Sequence, residues 1–260
     1  MTAQVETSNP TNEQAGSSSR TDAVTDVALT MPIFVAYHVG VVFLPVRNAA
    51  DVVTSRLANL AEHDRLSYVG LTLAIGLVVA LGMLMTGNRA KMRWESFALV
   101  AIEGVLYAMA MRFIAGFVVA QLHVGHLLPN AIGSSWPLAP HPLAAPPGLD
   151  VGVFTPLVMS LGAGFYEELT FRVLLFGVGA HLLTMLDDWK PWLVKMGWAV
   201  VCAAAFSAWH HVGAMGEEFS LDAFIFRTIC GLAFTLIYAF RGFAPAVWTH
   251  ALYDVWVMVL

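Results

Sequence analysis

Charge is what this sequence has least of. Asp, Glu, Lys and Arg make up 12% of its 260 residues, about half the share found in an ordinary soluble domain. With 58% hydrophobic residues and so few charges, the chain is excluded from the soluble globular class and reads as an integral membrane protein. Cysteine is scarce too. The two present, Cys202 and Cys230, fall in separate apolar stretches, which excludes a disulfide framework and a zinc-thiolate site. A net charge of -5 recommends no nucleic-acid partner. Strand-length alternation is missing, against an outer-membrane barrel, and no internal repeat of the secondary-transporter kind recurs. Residues 1–27 lack a basic start followed by an apolar core, so they do not have the form of a signal peptide. Rich in Thr, Ser, Asn and Gln, they read as a disordered polar tail.

What is present is a series of long apolar runs: Ala28 to Val46, Ser67 to Thr86, Ser96 to Leu122, Val151 to Leu186, Met196 to Val212, Asp222 to Phe240 and Ala244 to Leu260. They predict an all-α, polytopic transmembrane helical bundle of about seven to eight membrane helices. Three parts follow: the tail 1–27, the N-terminal helices and Pro-rich external loop of 28–150, and a core of 151–260. The run from Val151 to Leu186 would extend roughly 54 Å as straight helix, long for one span and short for two. Gly162 and Gly164 are its natural break points. Arg89, Lys91 and Arg93 put the 87–95 loop in the cytoplasm, and with it the N-terminus, in a plasma-membrane topology. The 123–150 loop has no Lys or Arg, and Pro129, Pro137, Pro140, Pro142, Pro146 and Pro147 forbid regular helix over most of it.

Against this apolar background, Glu167, Glu168 and Arg172 stand out. A charge at the bilayer centre costs roughly 2.5–3.5 kcal/mol on insertion scales, so three together point to function before packing. Glu168 and Arg172 are four apart and share a helix face, where they can pair. Glu167 is turned about 100° away and is free to face a polar cavity. Later helices bring His210, at the end of one crossing, and His250 with Asp254, again four apart. A glutamate, two histidines and an aspartate from three helices meet only inside a bundle, where a water held among them becomes a nucleophile: the outline of an intramembrane hydrolase. His211 is rotated away from His210 and is a weaker candidate. Glu103, Arg112 and Arg227 come without a polar neighbour at i+3 or i+4, and with His38 and His181 they read as structural pairs or snorkelling side chains. On first principles Glu167, His210, His250 and Asp254 could also hold zinc, although no HExxH pair places two ligands on one helical turn. In straight helices His210 and His250 differ in depth by roughly 12 Å.

The order Glu167-Glu168-x-x-x-Arg172, Phe206-x-x-x-His210, His250-x-x-x-Asp254 resembles the CPBP family. Its members are intramembrane endopeptidases, among them the CAAX proteases, bacteriocin-processing enzymes and Abi proteins. The resemblance covers about Leu157 to Leu260. It implies that Glu167 activates the attacking water, that His210 helps to hold it, and that His250 with residue 254 faces the scissile carbonyl as an oxyanion-stabilising pair. Glu168 and Arg172 would support the site, and no metal or other cofactor is implied. CAAX-type members carry Asn where this chain has Asp254. An aspartate there must be protonated, orient His250, or bind a metal. The partners implied are the lipid bilayer and a membrane-anchored protein or peptide substrate. A non-catalytic immunity or scaffold protein of the same fold, and a proton-coupled transporter, are the competing readings. A rhomboid-like serine is disfavoured because Gly133-Ser134-Ser135 lies in a polar loop, and the paired aspartates of presenilins are missing.

Overall fold

The computed structural model describes residues 23–44, 47–61, 64–85, 94–124, 152–186, 190–213 and 216–259. In chain order the helices are α1 (Ala23–Val41), α2 (Val53–Leu60), α3 (Arg65–Met85), α4 (Trp94–Val124), α5 (Phe154–Glu168), a π-helical segment (Leu169–Val178), α6 (Gly179–Leu186), α7 (Pro191–Trp209), α8 (Leu221–Arg241) and α9 (Phe243–Met258). Among the described residues there is no strand. Among the described residues, five stretches are long and apolar enough to cross a bilayer: Val24–Val41, Glu95–Leu122, Phe154–Leu186, Pro191–Trp209 and Leu221–Arg241. Arg65–Val78 is a shorter apolar helix. The outward faces carry large apolar side chains, such as Leu106, Phe113 and Phe117 on α4 and Leu236 and Phe240 on α8. Such a belt suits hydrocarbon and not water. The protein is an integral membrane helical bundle.

Two expectations need correction. The segment after Val151 does not break at Gly162 or Gly164, and runs without interruption from Phe154 to Leu186. The glycines serve close packing instead. A Cβ on Gly162 would stand 2.3 Å from Cε2 of Tyr37 on α1, and one on Gly164 would stand 2.8 Å from the backbone nitrogen of Ala251 on α9. Only a bare backbone lets α5 approach both neighbours so closely. The irregularity comes after the glutamates, where the coil widens into the π segment. The second correction concerns the tail, since Ala23 to Val27 belong to α1. Asp26 has a task there: its carboxylate accepts the backbone N–H groups of Phe243 (2.9 Å) and Ala244 (2.8 Å), the first turn of α9. An acceptor at that position satisfies orphan donors and complements the helix dipole. Residues 1–22, the basic residues Arg89, Lys91 and Arg93, and the prolines of the 123–150 loop lie outside the described residues.

α9 is the central element. It packs chiefly on α5 and α4, with α8 and α1 beside it, and Ala244, Ala246, Val247 and Ala251 are almost wholly buried. The chain enters it from α8 through Gly242 at φ 108°, a left-handed value that glycine adopts without strain. Tight crossings of this kind are sensitive to volume. Gly164→Leu is expected to cost on the order of 1–3 kcal/mol or more, because the added side chain meets Ala251 backbone that cannot swing aside. Thermal unfolding in detergent would read this, and Gly197→Leu, with nothing within 4 Å of its Cβ position, is the control.

Candidate functional site

Glu167 and Glu168 close α5, and both are buried, at 6% and 0% exposure. Glu168 does more than pair with Arg172. Its Oε1 stands 3.1 Å from Nη1 of Arg172 and accepts a hydrogen bond from Nδ1 of His250 at 2.7 Å. One carboxylate thus ties α5, the π segment and α9 together. Arg172 lies 4.3 Å above the ring of Phe206 and 5.0 Å from that of Phe234, with Nη2 pointing 3.4 Å toward the Gly231 carbonyl. Two aromatic faces and a carboxylate are a reasonable setting for a guanidinium out of water.

Glu167 turns the other way, as helical spacing requires. Oε1 accepts a hydrogen bond from Nδ2 of Asn48 at 2.8 Å. Oε2 is buried, accepts no hydrogen bond, and faces Nε2 of His210 at 3.7 Å and Nε2 of His250 at 4.0 Å. Both rings have their tautomer set by the opposite nitrogen. Nδ1 of His210 donates to the Phe206 carbonyl at 2.9 Å, and Nδ1 of His250 donates to Glu168, so both Nε2 atoms are left toward Glu167. Asp254 adds its Oδ2 at 3.6 Å from Nε2 of His250. It therefore lies on the reactive side of that ring, and the orienting partner is Glu168. The His250 ring is itself fixed by stacking on Phe234, with centroids 4.5 Å apart and planes 19° apart, and by the edge of Phe206 at 5.8 Å.

All six residues singled out in the sequence are thus neighbours. The expected depth mismatch does not keep His210 and His250 apart, since their Nε2 atoms lie 3.7 and 4.0 Å from the same Glu167 oxygen. His210 caps the end of α7 and leans back along its last turn onto Phe206, whose ring touches His250. His211 turns away: its ring lies against Phe219, 5.2 Å between centroids, and its Nδ1 is 3.4 Å from the Glu217 carbonyl. Among the described residues no group of three or more His, Cys, Asp and Glu side chains is gathered as a metal site.

The other embedded charges noted in the sequence have partners outside this cluster. Arg241 binds Glu103 at 2.5 Å, Arg227 binds Glu217 at 2.5 Å, and Arg112 lies 5.0 Å from the Trp256 ring. Glu103 does have a polar residue at i+4: Tyr107, aromatic by pattern, donates to it at 2.6 Å. His38 is fully buried between the hydroxyls of Tyr68 (2.7 Å) and Tyr166 (2.6 Å), whereas His181 is exposed. What sequence reading missed is Asn48 and the stacking ring of Phe234. Asn48 follows an apolar run as any turn asparagine does, and no spacing links it to a residue 119 positions away.

The bundle thus buries a cluster of carboxylates and histidines where α5, α7 and α9 meet. Residues 150–256 match the family model described as type II CAAX prenyl endopeptidase Rce1-like, a likeness consistent with the CPBP family. That likeness supports a CAAX-type intramembrane protease at the level of the family. No curated protein and no solved structure matches the chain.

Proposed function

We propose that the protein is an intramembrane endopeptidase that hydrolyses a peptide bond of a membrane-anchored or membrane-proximal substrate with water activated by Glu167. The observation that carries this reading is the buried Oε2 of Glu167, uncommitted and facing two Nε2 atoms at 3.7 and 4.0 Å. Polar atoms at that separation can share one bridging water. Glu167 takes a proton from this water as its oxygen attacks the scissile carbonyl, and returns the proton to the leaving amine as the C–N bond breaks. His210 holds the water. His250 lies deeper, with Asp254 at 3.6 Å, and a proton carried between them supplies the donor for the oxyanion. Glu168 and Arg172 keep the His250 ring in place. An aspartate that shares a proton with His250 can serve where CAAX-type relatives have asparagine.

The family supports a prenylated protein ending in a CAAX-type sequence as the substrate class. The lipid chain would lie in the bilayer beside the bundle and the peptide would enter the polar cluster. Mass spectrometry of membrane-protein termini, with and without the protein, tests the activity: a new terminus that depends on it is expected, and identical termini would refute the reading. The mechanism uses no metal. Exhaustive chelation is expected to leave the cleavage rate unchanged, and a loss restored by zinc would replace the water-glutamate mechanism with a zinc one.

A further inference from the structure

We propose that Asn48, outside the CPBP-like segment and on the turn between α1 and α2, is the positioning residue that aims Glu167. The inference rests on the reading of Glu167 as the base. A carboxylate can rotate about its last bond and offer either oxygen to any neighbour. Here one oxygen is committed: Nδ2 of Asn48 donates to Oε1 at 2.8 Å, and the other oxygen is thereby directed at His210 and His250. The donor is neutral, so it orients the base without tying it up as an ion pair, as Arg172 does for Glu168.

Asn48 is itself held from several sides. It is 7% exposed, and its Oδ1 accepts the N–H of Ala50 at 2.8 Å, closing a local Asx turn. Since Oδ1 accepts, the amide is oriented with Nδ2 toward Glu167. Its backbone N–H donates to the hydroxyl of Tyr37 at 3.2 Å, and that hydroxyl donates to Asp51 at 2.7 Å. Asp51 in turn accepts the backbone N–H groups of Val53 and Thr54, both at 2.9 Å, and the Thr54 hydroxyl. The Tyr37 ring packs where Gly162 has no side chain, five residues before Glu167. A buried polar network so fully satisfied holds one geometry. The turn after α1 is therefore part of the site.

The two bonds of the Asn48 side chain allow a decisive test. Asn48→Asp keeps the acceptor for Ala50 but replaces the donor with a second negative charge against Glu167. Asn48→Ala removes both bonds and adds no charge. If Asn48 serves only the turn, the aspartate variant is the harmless one. If it aims Glu167, the aspartate variant is the worse one, with turnover of a fluorogenic prenylated CAAX peptide reduced about 100-fold against about tenfold for alanine, at unchanged KM. Thermal unfolding of the purified full-length protein supplies the arm that does not depend on activity. Asn48→Asp is expected to lower the melting temperature, and adding Glu167→Gln to restore it, because the new amide can donate to the new carboxylate in a reversed hydrogen bond. Equal melting of Asn48→Asp and wild type, or no rescue by Glu167→Gln, overturns the proposal. Retained cleavage by Glu167→Gln alone would instead refute Glu167 as the base and leave the thermal result to decide the contact.

Discussion

Glu167→Gln is expected to reduce peptide cleavage by about 10²- to 10⁴-fold, the range that a positioned general base supplies, while the protein stays folded. The substitution is nearly isosteric. Gln can orient its carbonyl oxygen to accept from Asn48 Nδ2 as Oε1 of the glutamate does at 2.8 Å, so the contact that anchors the side chain need not be lost. What disappears is the ability to take a proton from water at the Oε2 position, where no protein hydrogen bond competes. KM should change little, since the lost interaction belongs to the transition state. The measurement is a rate on purified protein beside a melting curve. A folded variant that cleaves at the wild-type rate would refute the mechanism. A phenotype retained without any cleavage would favour a scaffold, and uncoupler-sensitive transport a carrier. His250→Gln should be comparably damaging, because it breaks the 2.7 Å bond to Glu168 and removes the Nε2 that faces both Glu167 and Asp254.

Much of this site was legible because helices convert spacing into direction. Glu168 and Arg172 share a face at i and i+4, and the structure brings them to 3.1 Å even though the helix widens within that turn. Glu167, one residue earlier, is turned to another face, which is all that separates its surroundings from those of its neighbour. Charge in an apolar run was the other usable signal, because desolvation makes such residues rare unless they are partnered. The same logic failed where the information is not local. The link from Asn48 to Glu167 crosses between distant parts of the chain through a turn, and turns carry no period to read. Gly162 and Gly164 were misread for a related reason: a glycine in a helix signals either weakness or a close neighbour, and only the positions of Tyr37 and Ala251 decide between them. Tyr107 beside Glu103 hid because an aromatic ring counts as apolar in a pattern while its hydroxyl does not.

Arg172→Met is expected to destabilise the protein by about 3–5 kcal/mol, the range for removing one partner of a buried ion pair. The guanidinium is 1% exposed and Glu168 is fully buried, so the substitution leaves a carboxylate with no cation beside it except what His250 can offer. The Phe206 and Phe234 faces also lose the charge that they were placed around, and Lys, which lacks the flat guanidinium, should recover only part of the loss. The informative variant is the double substitution Glu168→Met, Arg172→Met. Removing both charges of a buried pair together is often neutral or stabilising, so its melting temperature should return toward the wild-type value. Activity should not return. Without Glu168 the Nδ1 of His250 has no acceptor, the ring loses its tautomer and orientation, and the Nε2 that faces Glu167 is no longer held there. Stability regained without cleavage would show that this pair is kept to position His250, at no net benefit to the fold. If cleavage returned together with stability, Glu168 would be a packing residue only, and the orienting role assigned to it would fall.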